Sequence, residues 1–145
     1  MAESAYRDAQ ATNESDRSVR IFKDLNLNFT KHPITGDITR VKDIEAVKRS
    51  VRNLVQTNFY ERPFQPEIGS NVRAALFEPM SPITANVLTR HIEDVINNFE
   101  PRALLAGVST LPDFDNNASQ VTVEFYVQNA PAELVDLTFV LERLR

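Results

Sequence analysis

The sequence predicts an α+β fold in which two main amphipathic helices pack on one face of a small three-stranded C-terminal β-sheet. Two observations carry this prediction. Apolar residues recur at helical spacing up to Phe99, and beyond Pro101 they alternate with polar ones at a period of two. Helical patterns first and a run of strands last indicate helices covering one face of an antiparallel sheet.

Residues 1–18 are polar and show no hydrophobic period, so they read as a mobile tail preceding a single domain over residues 19–145. Val19 to Phe29 alternates, with Ile21, Leu25, Leu27 and Phe29 apolar, which suits a short extended segment. His32-Pro33-Ile34-Thr35-Gly36-Asp37 then supplies a turn, because proline fixes one dihedral and glycine permits positive φ. Asp43 reads as the cap of a first long helix with Ile44, Val47, Val51, Leu54 and Val55 on its apolar stripe. Lys48, Arg49 and Arg52 fall on the opposite face, either as a solvated surface or as a docking face for an acidic partner.

Arg62-Pro63-Phe64-Gln65-Pro66-Glu67-Ile68-Gly69 is incompatible with a helix, since each proline drives the residue before it into extended conformations. Phe64 and Ile68 are expected to pin this loop to the core. A short helix over Val72 to Phe77 follows. Ser81-Pro82 gives a cap and a first-turn proline for the second long helix. Its stripe reads Ile83, Val87, Leu88, Ile92, Val95, Ile96 and Phe99, and it must stop before Pro101. Three strands complete the chain. They cover Ala103–Leu111, the segment with Val121, Val123, Phe125 and Val127 inward, and the segment with Val135, Leu137, Phe139 and Leu141 inward. The turns between them fall at Pro112 to Asn117 and at Asn129-Ala130-Pro131.

Composition narrows the functional classes. A chain of 145 residues with 42% apolar and 25% charged residues can build an ordinary core. No run approaches the roughly 20 apolar residues that cross a bilayer, and the N-terminus lacks the order of a signal peptide, so a cytosolic location and no membrane partner are expected. Cysteine is absent and only His32 and His91 carry imidazoles, so no metal or cofactor site is expected. The net charge of −4 speaks against binding nucleic acid through phosphate neutralisation. Charge is uneven: Met1–Ile92 has 13 basic and 11 acidic residues, whereas Glu93–Arg145 has 3 and 9, an asymmetry that either orients subunits in an assembly or serves as a solubilising surface.

No glycine-rich phosphate loop, nucleophile elbow or zinc-binding helix signature occurs. His91 lies beside Val87 and Val95 on its helix and reads as a partly buried packing residue. The sequence that stands out is Asn98-Phe99-Glu100-Pro101-Arg102, at the junction of helix and sheet. Glycoside hydrolysis needs two carboxylates, one of them held protonated in an apolar site. Arg102, two residues from Glu100, would lower that carboxyl's pKa instead, and no second acid is evident. Glu100 and Arg102 therefore read as a structural pair that sets the angle between helix and sheet, and no catalytic residue is assigned.

Several fragments in fixed order resemble a known family. They are Lys23 to Phe29 with His32 to Asp37, Ala46 to Leu54 including Lys48, Arg49 and Arg52, and Glu61-Arg62-Pro63-Phe64. Ile68-Gly69-Ser70, Leu76-Phe77-Glu78 and Glu100-Pro101-Arg102 follow. Together they resemble the short baseplate wedge proteins of contractile-tailed phages, a family once labelled lysozyme-like, over roughly Phe22 to Leu144. The match looks most like members from T-even-type phages. The resemblance implies a fold similar to the C-terminal domain of the tail sheath protein and a non-enzymatic place in the virion tail baseplate, assembled in the host cytoplasm. It implies other wedge proteins, the tail sheath protein and the hub or tail tube as partners, with Glu100, Pro101 and Arg102 as the core motif. It also implies that this subunit is the platform on which sheath assembly starts, by β-strand exchange. An unpaired edge among Ser119–Asn129 and Leu134–Leu144 would suit that task. Two other readings remain open here: a baseplate component of a type VI secretion or phage-like injection machine, and a peptidoglycan-hydrolysing lysozyme.

Overall fold

A computed structural model describes residues 22–128 and 130–142. The tail expected over residues 1–18 lies outside the described residues, as do Ile21 and Asn129.

The elements run β1 (Lys23–Leu25), β2 (Arg40–Lys42), α1 (Asp43–Gln56), α2 (Val72–Leu76), α3 (Pro82–Phe99), β3 (Ala103–Asp113), β4 (Ala118–Val127) and β5 (Ala130–Glu142). β1 and β2 form a small antiparallel ribbon, and β3-β4-β5 form an antiparallel three-stranded sheet with β4 in the centre. The expected α+β architecture is therefore present, with α1 and α3 packed against the three-stranded sheet.

The turn at His32 closes the β1–β2 ribbon through His32 N–H to Asp37 O at 2.7 Å, with Gly36 at φ +71°. The sequence reading supplied only the first strand of this ribbon. Three residues are too few to show a period, and Leu25, Leu27 and Phe29 are exposed rather than buried. Asp43 does not cap α1. Lys42 occupies the cap position, and the Asp43 carboxylate accepts the Phe22 N–H at 3.3 Å while its own N–H reaches Phe22 O at 2.8 Å. Asp43 thus ties the incoming chain to the helix start, a long-range contact that overrides its local capping preference.

α1 buries Val47, Val51, Leu54 and Val55 as the spacing requires, and Ala46 with them; Ile44 is partly buried. Ser81 caps α3 by accepting the Thr84 N–H at 3.1 Å, with Pro82 in the first turn. α3 buries Leu88, Ile92, Val95 and Ile96, but Ile83 and Val87 face outward, and Thr84 and Ala85 take the inward positions in the first turn. Each fully buried Leu, Ile or Phe here contributes on the order of 1.5–3 kcal/mol.

Phe64 was expected to anchor its loop and does not: it is fully exposed at φ +70°, a strained conformation for an aromatic residue. Ile68 does pack on the core. Gly69 holds the loop instead, because a Cβ there would lie 2.5 Å from the Asn58 carbonyl carbon. Next to it the buried Ser70 donates its hydroxyl to Val55 O at 2.6 Å.

In the sheet, Val121, Val123, Phe125 and Val127 are fully buried, and Val135, Leu137, Phe139 and Leu141 nearly so. β3 runs on through Pro112 and Asp113, which had been assigned to the turn. A bulge at Ala106, between the Leu105 and Gly107 pairings, shifts its inward positions from Ala103 and Leu105 to Val108 and Thr110, so β3 shows no single alternation. β5 begins at Ala130, inside the expected turn. Of the two strands proposed as the acceptor edge, β4 is excluded, since both of its sides are hydrogen-bonded.

Candidate functional site

Pro101 is the pivot of the site. α3 makes its last helical bond from Glu100 N–H to Ile96 O at 2.9 Å. The chain then turns, with Ala103 N–H reaching Glu100 O at 3.1 Å and Pro101 second in that turn. Proline's fixed φ suits this position and forbids continued helix. The turn brings the side chains of Glu100 and Arg102 together although one residue separates them.

Glu100 is only 4% exposed, and its two oxygens take a two-pronged contact from Arg102: Nε to Oε1 at 2.7 Å and Nη2 to Oε2 at 3.0 Å. Ser50 Oγ, from the middle of α1, also donates to Oε2. Arg102 Nη1 reaches Asp24 Oδ2 on β1 at 3.2 Å, and its guanidinium lies 5.6 Å from the centre of the Phe22 ring. The Arg102 carbonyl accepts the Gln128 N–H at 3.0 Å, which fastens the turn to the end of β4. One corner therefore joins α1, α3, β1, β3 and β4.

Burial pushes the Glu100 carboxyl upward, but the hydrogen bonds from Arg102 and Ser50, with the Arg102 charge, outweigh it and hold the group below the ordinary glutamate range. The bond to Glu100 raises Arg102 in turn, further supported by Asp24. A buried carboxylate held ionised, with both oxygens occupied, is equipped to fix elements relative to one another and is poorly equipped to donate a proton.

Ser50 and Asp24 were not singled out from the sequence. Ser50 was legible in principle, since it lies three residues after Val47 and four before Leu54, within the buried stripe of α1. Asp24 was not, because 78 residues separate it from Arg102. The other residues predicted for the site divide into two groups. Arg49 and Arg62 line a groove of about 490 Å³ that includes the corner's own Asp24 and Ser50, together with Lys23 and the apolar Leu54, Ile68 and Phe99. Arg49 also donates to Asn26 Oδ1. Lys48, Arg52 and Pro63 do not line it; Arg52 and Pro63 are exposed and Lys48 is half-buried.

The fold and site together define a structural component whose chemistry is spent on holding its own elements in place. Residues 41–132 match the family described as Baseplate wedge protein gp25. The baseplate wedge protein gp25 of Enterobacteria phage T4 is 31% identical over 105 residues, covering 72% of this chain and 80% of that protein. The chain belongs to the gp25 baseplate wedge family.

Several solved structures share the fold, two of which illustrate it. A chain of the anti-feeding prophage baseplate is 25% identical with a TM-score of 0.58, covering 86% of this chain and 88% of its own length. A Geobacter sulfurreducens protein, provisionally called a tail lysozyme, is 19% identical with a TM-score of 0.63, covering 70% of this chain and 91% of itself. At that identity the likeness speaks for the fold alone.

Proposed function

We propose that this subunit occupies the baseplate wedge of a contractile phage tail and offers its sheet border to the first ring of the tail sheath, which joins by strand addition. The observation that carries this reading is the three-stranded sheet, whose two outer strands have no partner on their far sides among the described residues. An unpaired border presents N–H and C=O groups to an incoming chain, so backbone bonding alone gives affinity. The groove bearing Lys23, Arg49 and Arg62 suits an acidic segment of a neighbouring wedge protein, and the exposed Leu25 and Leu27 at its rim suit apolar contacts.

The Glu100–Arg102 corner supports this role by holding the sheet at a fixed angle to the helices. Arg102→Ala is expected to yield a soluble protein that enters baseplates but supports little sheath polymerisation, scored by electron microscopy of purified particles. Normal sheath on baseplates carrying that change would remove the corner from the proposed role.

Nothing in the corner favours hydrolysis. The ionised Glu100 lacks the proton a general acid must supply, and Asp24 lies across the Arg102 guanidinium from it. Purified protein at high concentration is expected to leave the turbidity of a peptidoglycan suspension unchanged. Clearing that Glu100→Gln abolishes would establish an enzyme instead.

A further inference from the structure

β3 and β5 are not equivalent borders. β3 carries the Ala106 bulge and Pro112, two features that obstruct pairing, and α3 packs along it, with the Thr89 and Thr110 hydroxyls 2.8 Å apart. β5 also has a proline, Pro131, and a shift of register, but both lie at its start; from Leu134 to Glu142 it runs without proline and its pairing with β4 is regular. Its inward side chains, Val135, Leu137, Phe139 and Leu141, keep 4–8% exposure, whereas the corresponding β4 residues have none. An apolar strip thus stays just open along the β5 border. At the end of β5 this strip meets a groove of about 470 Å³ whose walls include Val72, Leu76 and Arg73. On the opposite face, Val140 borders a second hollow of about 520 Å³ with Leu111, Phe114 and Gln120. Side chains of a strand added here would find room on both faces.

Charge distinguishes the two faces. Outward along β5 stand Asp136 and Glu142, and Asp136 is directly opposite Glu124 on β4. Like charges facing each other across a strand pair are unfavourable, and neither carboxylate has an ion-pair partner among the described residues. The isolated fold gains nothing from this pair.

We propose that β5 is the acceptor border and that its occupant is a partner-chain strand with apolar side chains facing inward and lysine or arginine facing outward. This rests on the strand-acceptor reading above and adds a border and a code to it. The inward residues would continue the apolar strip over Leu76, and the outward cations would lie beside Asp136 and Glu142, relieving the repulsion with Glu124.

The test uses the full chain and labelled peptides of about nine residues, the length of a typical long strand. Four peptides are compared by fluorescence anisotropy: alternating valine and lysine, alternating valine and glutamate, the valine–lysine composition in scrambled order, and the alternating valine–lysine peptide N-methylated at every second residue. The alternating valine–lysine peptide is expected to bind roughly tenfold tighter than the glutamate peptide. Asp136→Lys should reverse that order, and N-methylation on the bonding side should abolish binding. Equal binding of the lysine and glutamate peptides, with sensitivity to N-methylation retained, would overturn the charge code and leave the strand acceptor standing. Scrambled peptide binding as well as the alternating one, or an unchanged ranking in Asp136→Lys, would reduce the effect to general attraction and overturn the proposal. Absence of all binding up to roughly 1 mM would overturn the acceptor reading as well.

Discussion

At the scale of single residues, the behaviour of the corner follows from one carboxylate that is buried and yet ionised. Removing the Arg102 guanidinium leaves Glu100 with the Ser50 hydroxyl and the backbone N–H of residue 102 but no compensating charge, and an uncompensated charge at 4% exposure is costly. Breaking a buried pair from one side costs about 3–5 kcal/mol, and the partial exposure of Arg102 places its loss near the lower end. The acid limb of stability carries the same signature. Because Glu100 titrates lower when folded than when unfolded, its contribution is complete above the ordinary glutamate value of about 4.3. It fades as pH falls below that value and is gone once the folded group is protonated. Chemical denaturation from pH 6 downward is expected to show Glu100→Gln less stable than wild type near neutrality, with the two converging in acid. A constant difference across that range would contradict the assignment. Equal stability at neutral pH would contradict it too.

At the scale of elements, the loop between α1 and α2 depends on a close approach more than on its side chains. Tyr60 and Phe64 hold positive φ values with their rings exposed, while Gly69 passes against the Asn58 carbonyl. Gly69→Ala would push Cβ into backbone atoms at 2.5–2.7 Å, so the loop must shift and the buried Ser70 bond to Val55 with it. A loss of about 2–3 kcal/mol is expected in thermal or urea unfolding, with the sheet still folded in the far-ultraviolet dichroism spectrum. An unchanged midpoint would mean that the loop adapts freely.

The same elements show why the sequence was legible in some places and silent in others. α1, α3, β4 and the inward half of β5 were readable because each has enough residues to repeat its period. Ser81-Pro82 and Pro101 marked the ends of α3 through purely local chemistry. The reading failed where a distant contact or a shift of register decided the outcome. Asp43 turned from capping α1 to bonding Phe22, Ala106 broke the alternation of β3, and Phe64 was turned outward by a left-handed backbone. The candidate site divided along the same line: Glu100, Pro101 and Arg102 are contiguous, so a single stretch of sequence offers them together. Ser50 and Asp24 come from elements that only the tertiary fold brings there.

At the scale of the molecule, the corner and the groove share α1 and β1, with Asp24 and Ser50 in both, whereas the free border of β5 lies apart from them. Under the proposed function, Arg49 and Arg62, on α1 and the loop before α2, would meet an acidic neighbour, and the β5 carboxylates a basic one. On that reading, the charge asymmetry of the chain, nearly balanced before Glu93 and acidic after it, would correspond to two surfaces of opposite preference. In the proposed role, such a subunit would be oriented by its neighbours before its border is used.

The measurement that bears most directly on this account is a cryo-electron microscopy map of a baseplate with its first sheath ring in place. The account requires a fourth strand, contributed by the sheath, hydrogen-bonded along β5 between Leu134 and Glu142 with its inward side chains above Leu76. A map in which β5 stays bare while the sheath grips another surface of the subunit would contradict it.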